Sequence, residues 1–350
     1  MYHKEWLAAR ERGTPAAAFA WCWGIARSTH WRWLAGRVWA TRKRRIMKVT
    51  AEIREKVLAL DRRYRSTWDA HAIAHVVKLS HTTVAKILRE FRGPRPKRPK
   101  QPHTRRTRFT RRDVMWSSDF VRIGWGWLLL TTIDECSGYI LGWDLVRSEQ
   151  AMAVLDHAQS ILDRMKRAPL VWKYDHGSAF TSDVFQGLLE YYEIVPYPIA
   201  AHSPWVSGRK ERDHREVHNW LIPLAGREAS REELDREIDE EMLVRNFIKP
   251  RACLGFRRSA AVYFDKEKEL DAEETREWLA DGIRSEKGAM GLPDPDIVYK
   301  IRKSGERVHR KAVRLALQKL CLYEEWDTAA QEWPSEAESV NRIDDKDVSF

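Results

Sequence analysis

Cysteine is scarce: Cys22, Cys136, Cys253 and Cys321 are the only four in 350 residues. They lie far apart with no Cys-x-x-Cys pair, which argues against a disulfide framework and a cysteine zinc cluster. Long apolar runs are also missing. The longest, Trp125 to Ile133, falls well short of the roughly 18 residues of a membrane span. The opening stretch, MYHKEW, has no apolar leader pattern. A soluble, cytoplasmic protein in a reducing compartment is expected, without membrane partners.

Acidic residues are sparse in one part of the chain only. Residues 1–112 hold 29 Lys and Arg against 7 Asp and Glu, a net of +22, so the remaining residues carry −11 of the overall +11. A basic head on an acidic body is the charge pattern of a polyanion binder, because neutralised phosphates supply most nucleic-acid affinity.

Within that head the apolar period is helical. In GTPAAAFAWCWGIARSTHWRWLAGR, Thr14 is expected to cap a helix with Pro15 at its first position and Gly24 at its end. Ser28 then starts a second helix bearing Arg32 and Arg37, an outline that a helix-turn-helix and an ordinary helical hairpin share. The pattern repeats. Thr50 caps a helix carrying Ile53, Val57 and Leu60, WDAHAIAHVV gives a shorter one, and LSHTTVAKILREF restarts after Ser80 with Val84, Ile87, Leu88 and Phe91 inward. That leaves His81, Thr82, Thr83, Lys86 and Arg89 outward as candidate contacts to bases and phosphates. His71 and His75 stand four apart but have no cysteine near them, so a zinc site is not expected. Residues 92–112 carry ten Lys and Arg, four Pro and no acid, the composition of an extended basic tether, in which Arg105 and Arg106 would track phosphates.

From Trp116 the period changes to that of strands. WSSDFVRIG, WGWLLLTTIDE and GYILGWDLV read as an antiparallel meander, followed by helix, strand (PLVWKYD), helix, strand (IVPYPIA) and helix (GRKERDHREVHNWL). This order is an α/β layered domain. Three acids occupy particular points of it: Asp119 in the first strand, Asp175 at the C-terminal end of the fourth, and Glu211 in the last helix. Ligands gather at the C-terminal ends of parallel strands, and the small Gly177 and Ser178 leave Asp175 open. Carboxylates grouped there would need a cation between them, and oxygen donors suit Mg²⁺ or Mn²⁺, as a pair of ions. Spacing alone leaves open whether the three acids meet.

WSSDF with Asp119, YDHGSAFTS with Asp175 and SPWVSGRKERDHREVHNWL with Glu211 resemble the DDE transposase and retroviral-type integrase core. The 35 residues between Asp175 and Glu211 equal a spacing common in that family. RNFIKPRACLGFRRSAAVYF resembles the family's tail, and GIARSTHWRWL a turn of bacterial insertion-sequence transposases. Departures include His176, and Ala252 and Ser259-Ala260 in the tail; the retroviral zinc module is missing, which favours the bacterial branch.

The resemblance implies an RNase H-like core with a mixed five-stranded sheet, catalytic and metal-binding roles for Asp119, Asp175 and Glu211, and about two Mg²⁺ or Mn²⁺ ions. It further implies a homo-oligomer on DNA, acting on element ends and target in the bacterial cytoplasm or nucleoid. Arg215 and His218 follow Glu211 by four and seven residues and would contact phosphates. The expected organisation is a first helix-turn-helix (1–45), a second (46–92), a basic linker (93–113), the core (114–225), a helical extension (226–264) and a C-terminal region of undetermined fold with an acidic tail (265–350). A transposase-derived DNA-binding regulator that has lost catalysis would share this outline.

Overall fold

A computed structural model describes residues 2–25, 30–31, 49–93, 105–199, 208–225, 227–292, 296–301 and 305–327, without the side chains of Tyr2, His3, Arg105, Arg106, Asp327 and residues 208–212. The chain divides into two compact units, residues 1–54 and 55–350.

In the first unit, helices α1 (Tyr2–Glu11) and α2 (Ala16–Cys22) bury Trp6, Ala9 and Phe19. The Trp6 ring meets the edge of His30 at 4.5 Å, and burial holds that imidazole below its ordinary pKa. Helix α2 starts later than the Thr14 cap implies. Pro15 occupies the cap position, with no side-chain acceptor, and Gly24 ends the turn in the left-handed region. The expected second helix, with Arg32 and Arg37, falls outside the described residues apart from His30 and Trp31.

Helices α3 (Ala51–Arg63) and α5 (His81–Arg92) follow the capping signals at Thr50 and Ser80, and α4 (Ala70–Val77) starts at Asp69; each of the three accepts the backbone N–H three residues on. Val84, Ile87 and Leu88 turn inward, whereas Phe91 is 53% exposed. One residue further, Arg92 swings in instead, to the buried Asp61 and to the Trp68 carbonyl at 3.1 Å.

Part of the expected tether is a strand. β1 (Arg105–Phe109) pairs antiparallel with the C-terminal β7 (Tyr323–Asp327), Arg105 opposite Asp327, an arrangement that local composition does not reveal.

The core strands are β2 (Met115–Gly124), β3 (Trp127–Asp134), β4 (Ile140–Val146), β5 (Val171–Tyr174) and β6 (Val195–Pro198). They form the mixed five-stranded sheet implied by the resemblance, in the order β4-β3-β2-β5-β6, with the first three antiparallel and β2, β5 and β6 parallel. Alternation divides its side chains between two faces. Trp116, Leu130 and Trp172 pack beneath α6 (Ala151–Met165) and α7 (Asp183–Tyr191). Val121, Leu129 and Ile133 join Val217 and Trp220 of α8 (Gly208–Leu221) in a cluster that also contains Ile73, Val84 and Ile87. The helix-turn-helix pattern of residues 51–92 is thus continuous with the core.

Helix α9 (Arg231–Leu243) is more than a solvated helix, since Leu234, Ile238 and Met242 are buried. It runs into a π-turn at Val244–Ile248 and the short α10 (Ser259–Tyr263). The C-terminal region has a defined fold: α11 (Ala272–Ala289) and α12 (Glu306–Lys319) pack on Met115, Val171 and Val195. The acidic tail beyond Asp327 lies outside the described residues.

At the β3–β4 turn, Asp134 accepts N–H groups from Asp113 (3.0 Å) and Ser137 (2.8 Å) and the Ser137 hydroxyl (2.6 Å). Burial pushes its carboxyl up to about 7, although the Ser137 hydroxyl opposes the shift.

Candidate active site

Two of the expected acids stand on, or just beyond, adjacent parallel strands. Met115, Trp116 and Ser117 of β2 lie opposite Val171, Trp172 and Lys173 of β5; Asp119 is two residues past the last paired position on β2, and Asp175 two past it on the chain leaving β5. Neighbouring strands are about 4.8 Å apart. Asp119 thus belongs to β2, and Asp175 to the turn into which the chain opens after β5.

Each is partly fixed. Asp119 accepts the Phe120 N–H through Oδ1 at 3.0 Å, and its Oδ2 lies 3.4 Å from Nε2 of His214 on α8. With Ser117, Asp213, His214 and Arg245 it lines a cavity of about 20 Å³. Asp175 Oδ1 accepts the Gly177 N–H at 2.9 Å. A Cβ at position 177 would stand 3.0 Å from that oxygen and 3.5 Å from Oε2 of Glu149, so glycine keeps the mouth of the turn open. His176, the departure noted in the sequence, has Nε2 3.8 Å from Glu306 Oε2. Glu306 begins α12, so the C-terminal region reaches the turn beside Asp175. No sequence pattern signalled this contact, because it joins residues 130 apart.

Glu211 occupies helix α8 three residues before His214, and its side chain lies outside the described residues. Among the described residues, no three His, Cys, Asp or Glu side chains converge as metal ligands. Aspartate oxygens remain the appropriate donors for a hard divalent cation.

Behind α8 lies a second charged group. Arg245, in the π-turn, pairs with Asp213 and approaches Glu216 (3.7 Å) and Glu241 (3.6 Å), while Lys249 meets Glu216 at 2.9 Å. All are largely buried. Burial pushes Glu241 up to about 7. Burial would also raise Glu216, but Lys249, Arg245 and Arg251 outweigh it and hold that carboxyl below its usual range. Asn246 turns to the sheet, giving its amide N–H to Ile140 O (2.9 Å) and accepting Ile140 N–H (2.8 Å). The RNFIKP stretch identified as a family-like tail is therefore the bracket that holds α8 to the sheet. Its substitutions Ala252 and Ser259-Ala260 leave these contacts in place.

A buried chain on the other face escaped sequence reasoning. Trp172 Nε1–H donates to Ser118 Oγ (2.8 Å), Ser118 meets Thr132 (2.6 Å), and Thr132 meets His157 Nε2 (2.8 Å), whose Nδ1 faces Asp144 at 2.5 Å. It ties β2, β3 and β5 together next to Asp119.

Of the expected DNA-contact residues, His81, Thr82, Lys86 and Arg89 are exposed on α5, and Thr83 is half-buried with its hydroxyl 2.7 Å from Ser80 Oγ. The His81 ring stacks on His71 at 4.5 Å, and His75 on Phe256 at 4.7 Å, aromatic partners for the two histidines that were set aside as zinc ligands. Arg215 and His218 are exposed on α8. Arg105 and Arg106 belong to β1. Arg32 and Arg37 lie outside the described residues. None of the four cysteines forms a disulfide, and among the described residues no helix is long and apolar enough to cross a membrane.

Residues 110–204 match the family model described as "Integrase core domain". No curated protein matches the chain. Among solved structures, the chain is similar to the catalytic core domain of BIV integrase, at 19% identity and a TM-score of 0.36, covering 44% of this chain and 96% of that one. The HTLV-2 integrase catalytic core domain in complex with magnesium gives 16% identity and 0.36 over 45% of this chain and 99% of that one. A simian T-cell lymphotropic virus intasome in complex with PP2A regulatory subunit B56 gamma gives 14% and 0.41 over 61% and 76%.

Proposed function

We propose that this chain, whose residues 110–204 carry an integrase core domain of the DDE integrase and transposase family, is a DNA transposase of the bacterial insertion-sequence type. The observation that carries the reading is the adjacency of β2, which bears Asp119, and β5, which Asp175 follows, with His214 of the Glu211 helix 3.4 Å from Asp119. Asp119, Asp175 and Glu211 would hold two Mg²⁺ or Mn²⁺ ions, for which carboxylate oxygens are fitting donors. Bound there, the metal supplies charge stabilisation at the scissile phosphate and an activated oxygen nucleophile.

The chain's own residues do the rest. The Gly177 amide orients Asp175, and His214 orients Asp119. The open Gly177-Ser178 turn admits the phosphate. In the first step a water oxygen attacks phosphorus and the 3′-oxygen of the element end leaves as a hydroxyl. In the second, that hydroxyl attacks a target phosphodiester, forming one P–O bond while another breaks and releases a target 3′-hydroxyl. Arg215 and His218 would steady neighbouring phosphates, and His81, Thr82, Thr83, Lys86 and Arg89 would read the element end in a groove. Arg32, Arg37, Arg105 and Arg106 would add sequence-independent affinity. Acting on paired ends requires at least two copies on DNA.

The test is strand transfer with the terminal sequences flanking the coding region and Mg²⁺. Wild type is expected to join ends, and Asp175→Asn and Glu211→Gln to bind but not join. A wild type that binds the ends and never cuts would replace this reading with that of a DNA-binding regulator.

A further inference from the structure

We infer that Arg65 and Lys249 are positioning residues that hold the helix-turn-helix of residues 51–92 at one fixed distance from helix α8. The number of base pairs between recognised sequence and cleaved bond is then set by the fold and not by a tether. The inference rests on the proposed function for the roles of α5 and α8, and on the following contacts for its mechanics.

The turn joining α3 to α4 is a joint with two sides. Toward the core, Arg65 donates to the Trp220 carbonyl at the end of α8 (2.7 Å), pairs with Glu237 of α9 (2.7 Å) and lies over the Trp220 ring at 4.6 Å. Lys249 reaches the same turn from the π-turn side, donating to Thr67 O (3.2 Å) while holding Glu216 of α8 (2.9 Å). Toward the recognition helix, Arg92 at the end of α5 binds Asp61 and the Trp68 carbonyl, and Ser66 donates to Asp61 at 3.0 Å. The polar links across this turn are charged hydrogen bonds that are largely buried. Flexible tethers are not built in this way.

The backbone supports the same conclusion. Arg65 and Ser66 both have positive φ, 47° and 58°, a conformation that non-glycine residues avoid unless their surroundings enforce it. Two in succession point to a turn shaped by what its side chains must reach. The rings of Tyr64 and Trp68, stacked at 4.1 Å, close it from within, and both belong to the apolar cluster shared with Val217 and Trp220.

Two measurements on the full chain test this. In the first, spin labels at Phe91→Cys on α5 and Met152→Cys on α6, both sites exposed, are read in a background whose native cysteines are Ser. A single narrow distance is expected, broadened in Arg65→Ala/Lys249→Met; a broad distribution in the otherwise unaltered chain overturns the inference without touching the proposed chemistry. The second leaves the protein unchanged and inserts about three base pairs, roughly 10 Å, between the footprint of residues 51–92 and the cleavage position. Binding should hold while cleavage at the original bond falls about 100-fold, the penalty of a misplaced reacting group. Undiminished cleavage there, with a narrow label distance, overturns the fixed-spacing claim. If the native end is never cut, the proposed function fails, the spacing claim falls with it, and the label distance still decides whether the joint is rigid.

Discussion

Helix α8 stands between two sets of carboxylates with opposite fates. Behind it, Asp213, Glu216 and Glu241 are buried against Arg245 and Lys249, so charge is cancelled where water is excluded. In front, Asp119 and Asp175 sit half-buried at the end of β5, held by backbone amides and, for Asp119, by His214. The rear set packs against and neutralises Arg245 and Lys249. Under the proposed function the front set offers its oxygen atoms to a cation, and its acids are not interchangeable. The difference lies in the partner each is given, not in the residue type.

The sharpest way to separate the two sets is substitution on each side. Asp119→Asn or Asp175→Asn should lower strand transfer at least about 10³-fold, the several kcal/mol that metal-ion charge stabilisation supplies. The thermal midpoint should stay near wild type. Equal losses of activity and stability would place these acids with the rear set. Arg245→Met should do the reverse in kind, destabilising the chain by about 3 kcal/mol in urea titration, because three acids are left buried without their main counterion.

A third comparison uses pH. The Asp134 carboxyl is raised by burial to about 7 from an ordinary 3.8, so the folded state binds its proton more tightly than the unfolded state does. Its contribution is complete below about pH 4 and is lost as pH rises to about 7. Asp134→Asn should therefore flatten the decline in urea midpoint across that window, and an unchanged slope would remove Asp134 as its cause. The smallest effect is expected from Asn246→Ala, which removes two hydrogen bonds to Ile140: about 1–2 kcal/mol in the same titration, with strand transfer impaired only in proportion to unfolded protein.

The front set was more legible in the sequence than the rear. Strand alternation around Asp119 and the apolar run ending in Asp175 are local patterns, and the capping residues Thr50 and Ser80 are read one turn at a time. Local signals also gave each core strand to within a residue or two. The rest depends on contacts between distant residues. Nothing near Arg105 announces Tyr323 to Asp327 as its partner strand, and nothing near His176 announces Glu306. The inward reading of Phe91 followed the helical period past the point where α5 still has a neighbour to pack on. RNFIKP carries no local sign that Arg245 and Lys249 are buried, because their burial is possible only once α8 supplies the acids.

Asn246 has one more consequence. β4 is an outer strand of the sheet, and such strands present unpaired backbone groups that invite a strand from another molecule. By taking both the N–H and the carbonyl of Ile140, the Asn246 amide imitates one residue of a sixth strand and closes that end of the edge. At this point the sheet is thereby protected from extension by a strand of another copy.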